Sequence, residues 1–321
     1  MNDSKTAPVA LFIFNRPQPT MKVYERIREA RPKRLLVIAD GPRSSRPGDD
    51  QLCRETREVV SSPDWPCELI TNFAPENLGC RRRVSSGLDW VFQQCAEAII
   101  LEDDCLPGPS FFGFCSEMLN RYRDDDRIVH VSGDNYQDGR RRGDASYYFS
   151  KYTHSWGWAS WRTAWRYYDV NLSAWPAAYR ERWLESFLDS PEEVRYWEAQ
   201  FDRLYRGQID TWDYQWLFAC WRRGGLSILP NENLVTNIGV GPDATHFKEG
   251  HSTVGLPVHE LGELVHPSEV VQCKEADRYT FETHISHQPA PSSASWLQRT
   301  RRRLALRARA RRMVPRSLRY R

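Results

Sequence analysis

At 321 residues and 40% hydrophobic content, the chain can bury one large core or two small ones, which excludes wholesale disorder. A charged fraction of 27%, a mean hydropathy of −0.67 and no apolar run near the roughly 20 residues of a bilayer span exclude an integral helical membrane protein. The net charge of +3 hides a division: residues 296–321 hold 11 Arg and no acid, which leaves 34 bases against 42 acids, a net of −8, in residues 1–295. The polar start from Met1 to Pro8, followed only by a short apolar run, lacks the layout of a secretory signal. A cytoplasmic protein is therefore expected, with its eight cysteines as free, mostly buried thiols.

Residues 8–132 alternate between strand and helix patterns. The apolar run Val9 to Phe14 is the first expected strand, followed by a helix after Pro19. Arg34 to Ala39 is the second strand, with a helix from Asp49 to Ser61. The third, Cys67 to Asn72, precedes an amphipathic stretch with Val84, Leu88, Val91 and Phe92 on one face. The fourth, Ala96 to Leu101, leads to a helix from Phe111 to Tyr122, and Arg127 to Ser132 is the fifth. Strands separated by helices imply an α/β fold with a mostly parallel sheet covered on both faces.

Asp134 to Pro176 is rich in Gly, Arg and aromatics and too irregular for a simple assignment. Helices resume at Pro191 to Tyr205 and Thr211 to Arg223, and Leu226 to Leu229 and Asn233 to Ile238 look like closing strands. Periodicity is weak over residues 251–295, where a Pro/Ser cluster from Gln288 to Ser295 reads as a linker. In the Arg-rich tail, Trp296, Leu297, Leu304, Ala308 and Val314 can fall along one side of a helix, a pattern suited to an anionic membrane surface. A disordered tail, a clamp on the acidic body and a linker to a partner are the competing readings.

Ligands of open parallel sheets bind outside the carboxyl ends of the strands. Three expected strands end in acid here: Asp40, the run Glu102, Asp103 and Asp104, and Asp134. Carboxylates gathered in one place repel one another unless a cation joins them, and all-oxygen ligation suits Mg or Mn. Turn and capping chemistry is the bland alternative. Thirteen Trp allow sugar stacking as well as packing. Other motifs fail on context. Residues 239–244 satisfy GxGxxA, but late in the chain and without a following βαβ unit, and His259-Glu260-Leu261-Gly262-Glu263 lacks the second His of a zincin helix. There is no GxSxG and no Walker phosphate loop.

The segment from Leu101 through Glu102, Asp103 and Asp104 to Pro109-Ser110-Phe111-Phe112 resembles the metal-binding segment of GT-A glycosyltransferases of the N-acetylglucosaminyltransferase I type, where a strand runs into an EDD version of the DxD motif. Phe14-Asn15-Arg16-Pro17 is similar to that family's first-strand loop, and Ile38-Ala39-Asp40-Gly41 to its second-strand end. Ser132-Gly133-Asp134-Asn135 follows the fifth strand as in the family, Ser155-Trp156-Gly157-Trp158 resembles its donor-site turn, and Trp212-Asp213-Tyr214-Gln215-Trp216 resembles its Trp-Asp-Asp-Trp segment. Two departures stand out: Tyr214-Gln215 replaces a single Asp, and Arg83 takes the family's basic position in the helix before the metal strand.

The resemblance, in consistent order over residues 8 to about 247, implies a bacterial-type GT-A domain over residues 1–250, with a nucleotide half (1–132) and an acceptor half (133–250). It implies a metal-dependent transfer of sugar from a nucleotide-diphosphate sugar, UDP-linked, to a glycan or lipid-linked acceptor with inversion. Asp104 would hold Mn or Mg, and Asp213 would be the catalytic base. Arg16, Asp40, Arg83, Glu102, Asp103, Trp156, Gly157 and Trp158 would bind the donor. A catalytically inactive relative that binds nucleotide or glycan is the alternative. The acidic body argues against a nucleic-acid partner.

Overall fold

The chain's first strand, β1 (Val9–Ile13), is buried at every position, which is why it reads as an unbroken apolar run. The computed structural model describes residues 6–239 and 255–286. Beyond β1 come β2 (Arg34–Ala39), β3 (Glu68–Phe73), β4 (Glu97–Glu102), β5 (Cys105–Pro107), β6 (Ile128–Ser132), β7 (Tyr147–Ser150), β8 (Trp158–Trp161), β9 (Leu226–Pro230) and β10 (Val235–Asn237). Eight of these form one sheet in the order β3-β2-β1-β4-β8-β6-β9-β7, while β5 and β10 make a separate antiparallel ribbon. β1 to β4 run parallel, as do β6 and β9; β8 is antiparallel to both its neighbours, and β7 is antiparallel to β9. The expected α/β class holds, with a mixed sheet.

Helices cover both faces. Pro17–Ala30 begins with Pro at its first position and buries Val23, Tyr24 and Ile27, and with Phe111–Arg121 it packs over one face. The opposite face receives Cys80–Gln94 and Asp213–Arg222. In Cys80–Gln94 the buried stripe is Val84, Leu88, Val91 and Phe92, and Gly87 brings the helix so near the sheet that a Cβ would stand 2.5 Å from Phe12. Asp213–Arg222 is buried on nearly all sides because its far face carries a third layer. There Pro191–Tyr205 and the short helices Trp175–Arg180 and Trp183–Phe187 close an aromatic subcore around Trp197, Phe201 and Trp221.

The irregular stretch after Asp134 contains two strands that the sequence reading did not find. β8 lies between β4 and β6, with Trp158 packed under the Asp213–Arg222 side and Trp161 under Phe111–Arg121. Residues 255–286 also belong to the body rather than to an extension. Ser146 and Val265 exchange hydrogen bonds, Cys273 N–H donates to Phe149 O, and the helix Lys274–Thr280 continues into a π-turn, Phe281–Ile285. That helix docks through Asp277, which accepts from Ser150 Oγ and Gln272, and through Thr280, which accepts from Gln137. Among the described residues no helix is long and apolar enough to cross a membrane. The Arg-rich tail, the Pro/Ser linker and most of the GxGxxA match lie outside the described residues.

Behind the sheet edge, His130 is fully buried and stacks on Trp158 at 5.0 Å. Its Nδ1 accepts from Trp216 Nε1 at 3.1 Å, so its proton sits on Nε2 and is donated to His154 O at 2.8 Å. Burial pushes this imidazole down to about 4. As pH falls the unfolded chain therefore takes up the proton first, and stability is lost from about pH 6.5 toward 4. Between pH 7.5 and 5 the loss through this residue should be about 2 kcal/mol. Urea titrations of the wild type and His130→Gln at the two pH values measure it; identical pH dependence in both proteins would show that His130 contributes nothing to acid sensitivity.

Candidate functional site

β1 and β4 are paired with Phe12 opposite Glu102, so their carboxyl ends open at one level. Past the end of β1, Phe14 N–H donates to Asp103 Oδ2 at 3.2 Å. The Arg16 guanidinium forks across the acidic run, with one arm on Asp103 Oδ1 and the other 2.8 Å from Asp104 Oδ2. Asp103 is 2% exposed and Asp104 16%. Burial works against the charged guanidinium, yet the two carboxylates outweigh it and hold Arg16 well above its ordinary value. Burial pushes Asp103 up to about 6 against the pull of Arg16. Glu102 is pushed to about 8, first by burial and then by the charges of Asp104 and Asp103.

The β5–β10 ribbon shapes the ground beside Asp104. Asn237 pairs with Cys105, and Ile238 N–H donates to Asp104 O at 2.8 Å. Gly239 follows, and a Cβ there would stand 2.2 Å from Asp104 Oδ2, so only glycine leaves that oxygen room. Asp213 comes from a different part of the chain, at the first position of the helix Asp213–Arg222, and Thr211 Oγ1 donates to its Oδ1. Its charge contributes to the upward shift of both Glu102 and Cys80. Arg16, Glu102, Asp103, Asp104 and Asp213 thus share one neighbourhood at the sheet edge.

Three expected donor residues have other occupations. Asp40 is 6% exposed, and its two oxygens accept from Gly41 N, Leu78 N, Asn77 Nδ2 and Gly79 N at 2.8 to 3.1 Å. Four bonds fill a carboxylate, so Asp40 builds the turn that carries Gly79, at φ +80°, into the helix Cys80–Gln94. Arg83 is not a solvated side chain: its guanidinium is buried and donates to Ala39 O, Asn72 O and Asn72 Oδ1 at the ends of β2 and β3. Trp158, 1% exposed, is not a pocket wall, because stacked His130 and Trp212 occupy its faces. Gly157, at φ +73°, makes the tight turn beside it that lets Val235 approach. Trp156 is half-buried and meets Tyr136 edge-on, with ring centroids 5.8 Å apart.

Tyr136, His154 and His284 were not singled out from the sequence, yet they gather around Asp134. Tyr136 stacks on His154 at 4.3 Å and lies 5.8 Å from the His284 ring on the π-turn. Burial pushes Asp134 up to about 7. The available signal was position: His154 stands two residues before Trp156, and Tyr136 two residues after a strand-end acid.

Fold and site together define an α/β protein whose sheet edge presents an arginine-bridged set of carboxylates. No protein-family model and no curated protein matches the chain. Among solved structures it is similar to HddC from Yersinia pseudotuberculosis, with 9% identity over 49% of this chain and 78% of that one and a TM-score of 0.29. It is also similar to a UDP-glucose pyrophosphorylase complexed with UDP-glucose, with 7% identity, 70% and 90% coverage and a TM-score of 0.35. A third is 4-diphosphocytidyl-2C-methyl-D-erythritolsynthase from Anaerococcus prevotii, with 9% identity, 63% and 84% coverage and a TM-score of 0.30. These likenesses are remote, and the α/β class rests on the strand order and layering described above.

Proposed function

We propose that the chain is a metal-dependent glycosyltransferase that moves a sugar from a nucleotide-diphosphate sugar, UDP-linked in this reading, to a glycan or lipid-linked acceptor. The observation that carries the reading is the arginine-bridged Asp103–Asp104 pair where β1 and β4 end, with Asp213 brought to the same neighbourhood by a separate helix. Among the described residues no three His, Cys, Asp or Glu side chains can hold a metal by themselves. The donor set nevertheless fits Mg or Mn, which is commonly held by one or two carboxylates while phosphate and water supply the rest. Asp104 has room beside Oδ2 because residue 239 is glycine, and Glu102 stands crowded by like charges that a cation would relieve. When bound, the ion would neutralise the departing diphosphate.

The chain's own residues supply the other parts. Arg16 fixes the two carboxylates in orientation and adds positive charge where the diphosphate leaves. Asp213 takes the proton of the acceptor hydroxyl as its oxygen bonds to the anomeric carbon and the bond from that carbon to the phosphate oxygen breaks, which inverts the centre.

Thermal unfolding of the full chain with UDP, with and without MnCl₂, tests the reading. UDP should raise the melting temperature only when Mn is present. Asp104→Ala and Gly239→Val should abolish that increment while leaving the ligand-free melting temperature within about 3 °C of wild type, the change expected from roughly 1 kcal/mol. A UDP effect indifferent to Mn, or an unchanged Mn effect in Asp104→Ala, would remove Asp104 as the metal ligand. Tight Mn-dependent binding with no release of UDP from any nucleotide sugar would assign the inactive relative instead.

A further inference from the structure

Each buried polar group left without a partner costs about 1–3 kcal/mol, so native proteins keep few of them. Two lie near each other just past the end of β6. Asp134 is fully buried; its Oδ1 accepts from Ser132 Oγ at 3.1 Å, and its Oδ2 makes no hydrogen bond of good geometry, although the Tyr136 hydroxyl and the Trp156 N–H are polar neighbours of the carboxyl. His154 is 6% exposed, and neither of its ring nitrogens makes a hydrogen bond of good geometry, although the backbone carbonyl of Asp134 is a polar neighbour. The backbone of His154 and that next to Asp134 are tied down: His154 O accepts from His130 Nε2 at 2.8 Å, and Gly133 N–H donates to Gly157 O at 2.8 Å.

Tyr136 roofs the pair. Its ring lies on His154, and its hydroxyl faces the Asp134 carboxyl. Tyr136 and Trp156 are only half-buried, so the outer side of the group is formed by these two rings, which meet edge-on. Asp213 acts electrostatically on Tyr136, and Asp134 on Cys105 beside Asp104, so the group lies within electrostatic reach of the carboxylates of the sheet edge.

The chemistry narrows what such a group can hold. An imidazole kept neutral by burial, as His154 is at about 3, offers one donor and one acceptor, and Asp134 Oδ2 offers an acceptor. A phosphate would be repelled by a carboxylate, and an apolar ligand would leave all three positions unpaired. Neighbouring hydroxyls on a ring, each both donor and acceptor, match them, and an aromatic pair suits the ring's apolar face.

We propose that Asp134, His154 and Tyr136 form the subsite for the ring hydroxyls of the transferred sugar, with Trp156 against its apolar face. One sugar hydroxyl donates to Asp134 Oδ2, and its neighbour bonds His154. This rests on the nucleotide-sugar reading above, and the two are separable by experiment.

Calorimetric titrations of the full chain in MnCl₂ with UDP, UDP-glucose, UDP-galactose and UDP-N-acetylglucosamine would be run on the wild type, Asp134→Asn and His154→Phe. The subsite requires that at least one UDP-sugar bound by the wild type weakens tenfold or more in each variant while UDP stays within twofold. Should His154→Phe fail to fold, the near-isosteric Asp134→Asn carries the comparison. If UDP and its sugars are unaffected, the two side chains are satisfied by ordered water only and the subsite is overturned. It is equally overturned if UDP and UDP-sugars weaken together, or if the wild type binds UDP and none of the three sugars. A wild type that binds neither UDP nor a UDP-sugar would bring down the nucleotide-sugar reading, and this subsite with it.

Discussion

Asp213→Asn is expected to lower the rate of sugar transfer by about 10² to 10⁴, while the affinity for the donor changes by less than roughly threefold. The argument is positional. Asp213 opens the helix Asp213–Arg222, takes a hydrogen bond from Thr211, acts electrostatically on Glu102, and takes no part in the Arg16 ion pairs of Asp103 and Asp104. A base must face the acceptor side of the anomeric carbon, opposite the departing phosphate, and of the acids gathered here Asp213 is the one delivered from a separate helix. Asparagine keeps the shape and most of the hydrogen bonding but cannot accept the proton. Single-turnover rates and equilibrium donor binding, measured on the same preparations, separate the two effects. A rate within a factor of three of wild type would remove Asp213 as the base, and Asp210, also in the sequence ahead of the helix, would be tested next.

How much of this was legible before the structure follows from which forces left a one-dimensional trace. β1, β2, β4 and β6 are covered on both faces and so appear as mainly apolar runs, which the sequence analysis places to within a residue or so. Pro191–Tyr205 has the bounds expected from its Pro start, and Ser190 accepts from Glu193 N–H at 3.1 Å as its cap. β8 left no such trace. Trp158 and Trp161 point into opposite layers, and a strand with large aromatics on both faces amid Gly and Arg shows neither alternation nor an aliphatic run. The helix Lys274–Thr280 falls in a stretch of weak periodicity for a related reason: it is anchored by Asp277 and Thr280 to partners more than a hundred residues away, and polar anchoring has no period.

The site shows the same division. The strand-end run of Glu102, Asp103 and Asp104 is visible because acids there interrupt an apolar strand, and Arg16 is visible only by resemblance, yet the structure brings them together. Asp40 and Arg83 belong to the same sheet edge but hold backbone: one closes the turn at residues 77–79, the other gathers the carbonyls of Ala39 and Asn72. A charged side chain that serves the fold and one that serves a ligand are alike in sequence, and only the count of satisfied hydrogen bonds tells them apart.

That count leads to the larger of the stability effects. Arg16→Met should destabilise the protein by about 3–5 kcal/mol in urea denaturation at neutral pH without divalent cation, because it leaves Asp103 buried with a single backbone N–H as partner. Most of the loss is the penalty for an unpaired charge rather than the net strength of the ion pair, so the double variant Arg16→Met/Asp103→Asn should recover more than half of it. Asp104, more exposed, can return to water, and Asp104→Asn added to Arg16→Met should recover little. If the two rescues are equal, Arg16 serves both carboxylates alike and the buried pair is not its main anchor. The same variants connect stability to the proposed chemistry. A divalent cation competes with Arg16 for Asp104 Oδ2 in the wild type and has no rival in Arg16→Met, so Mn should stabilise that variant more than the wild type. Equal Mn effects in the two proteins would place the cation away from Asp104.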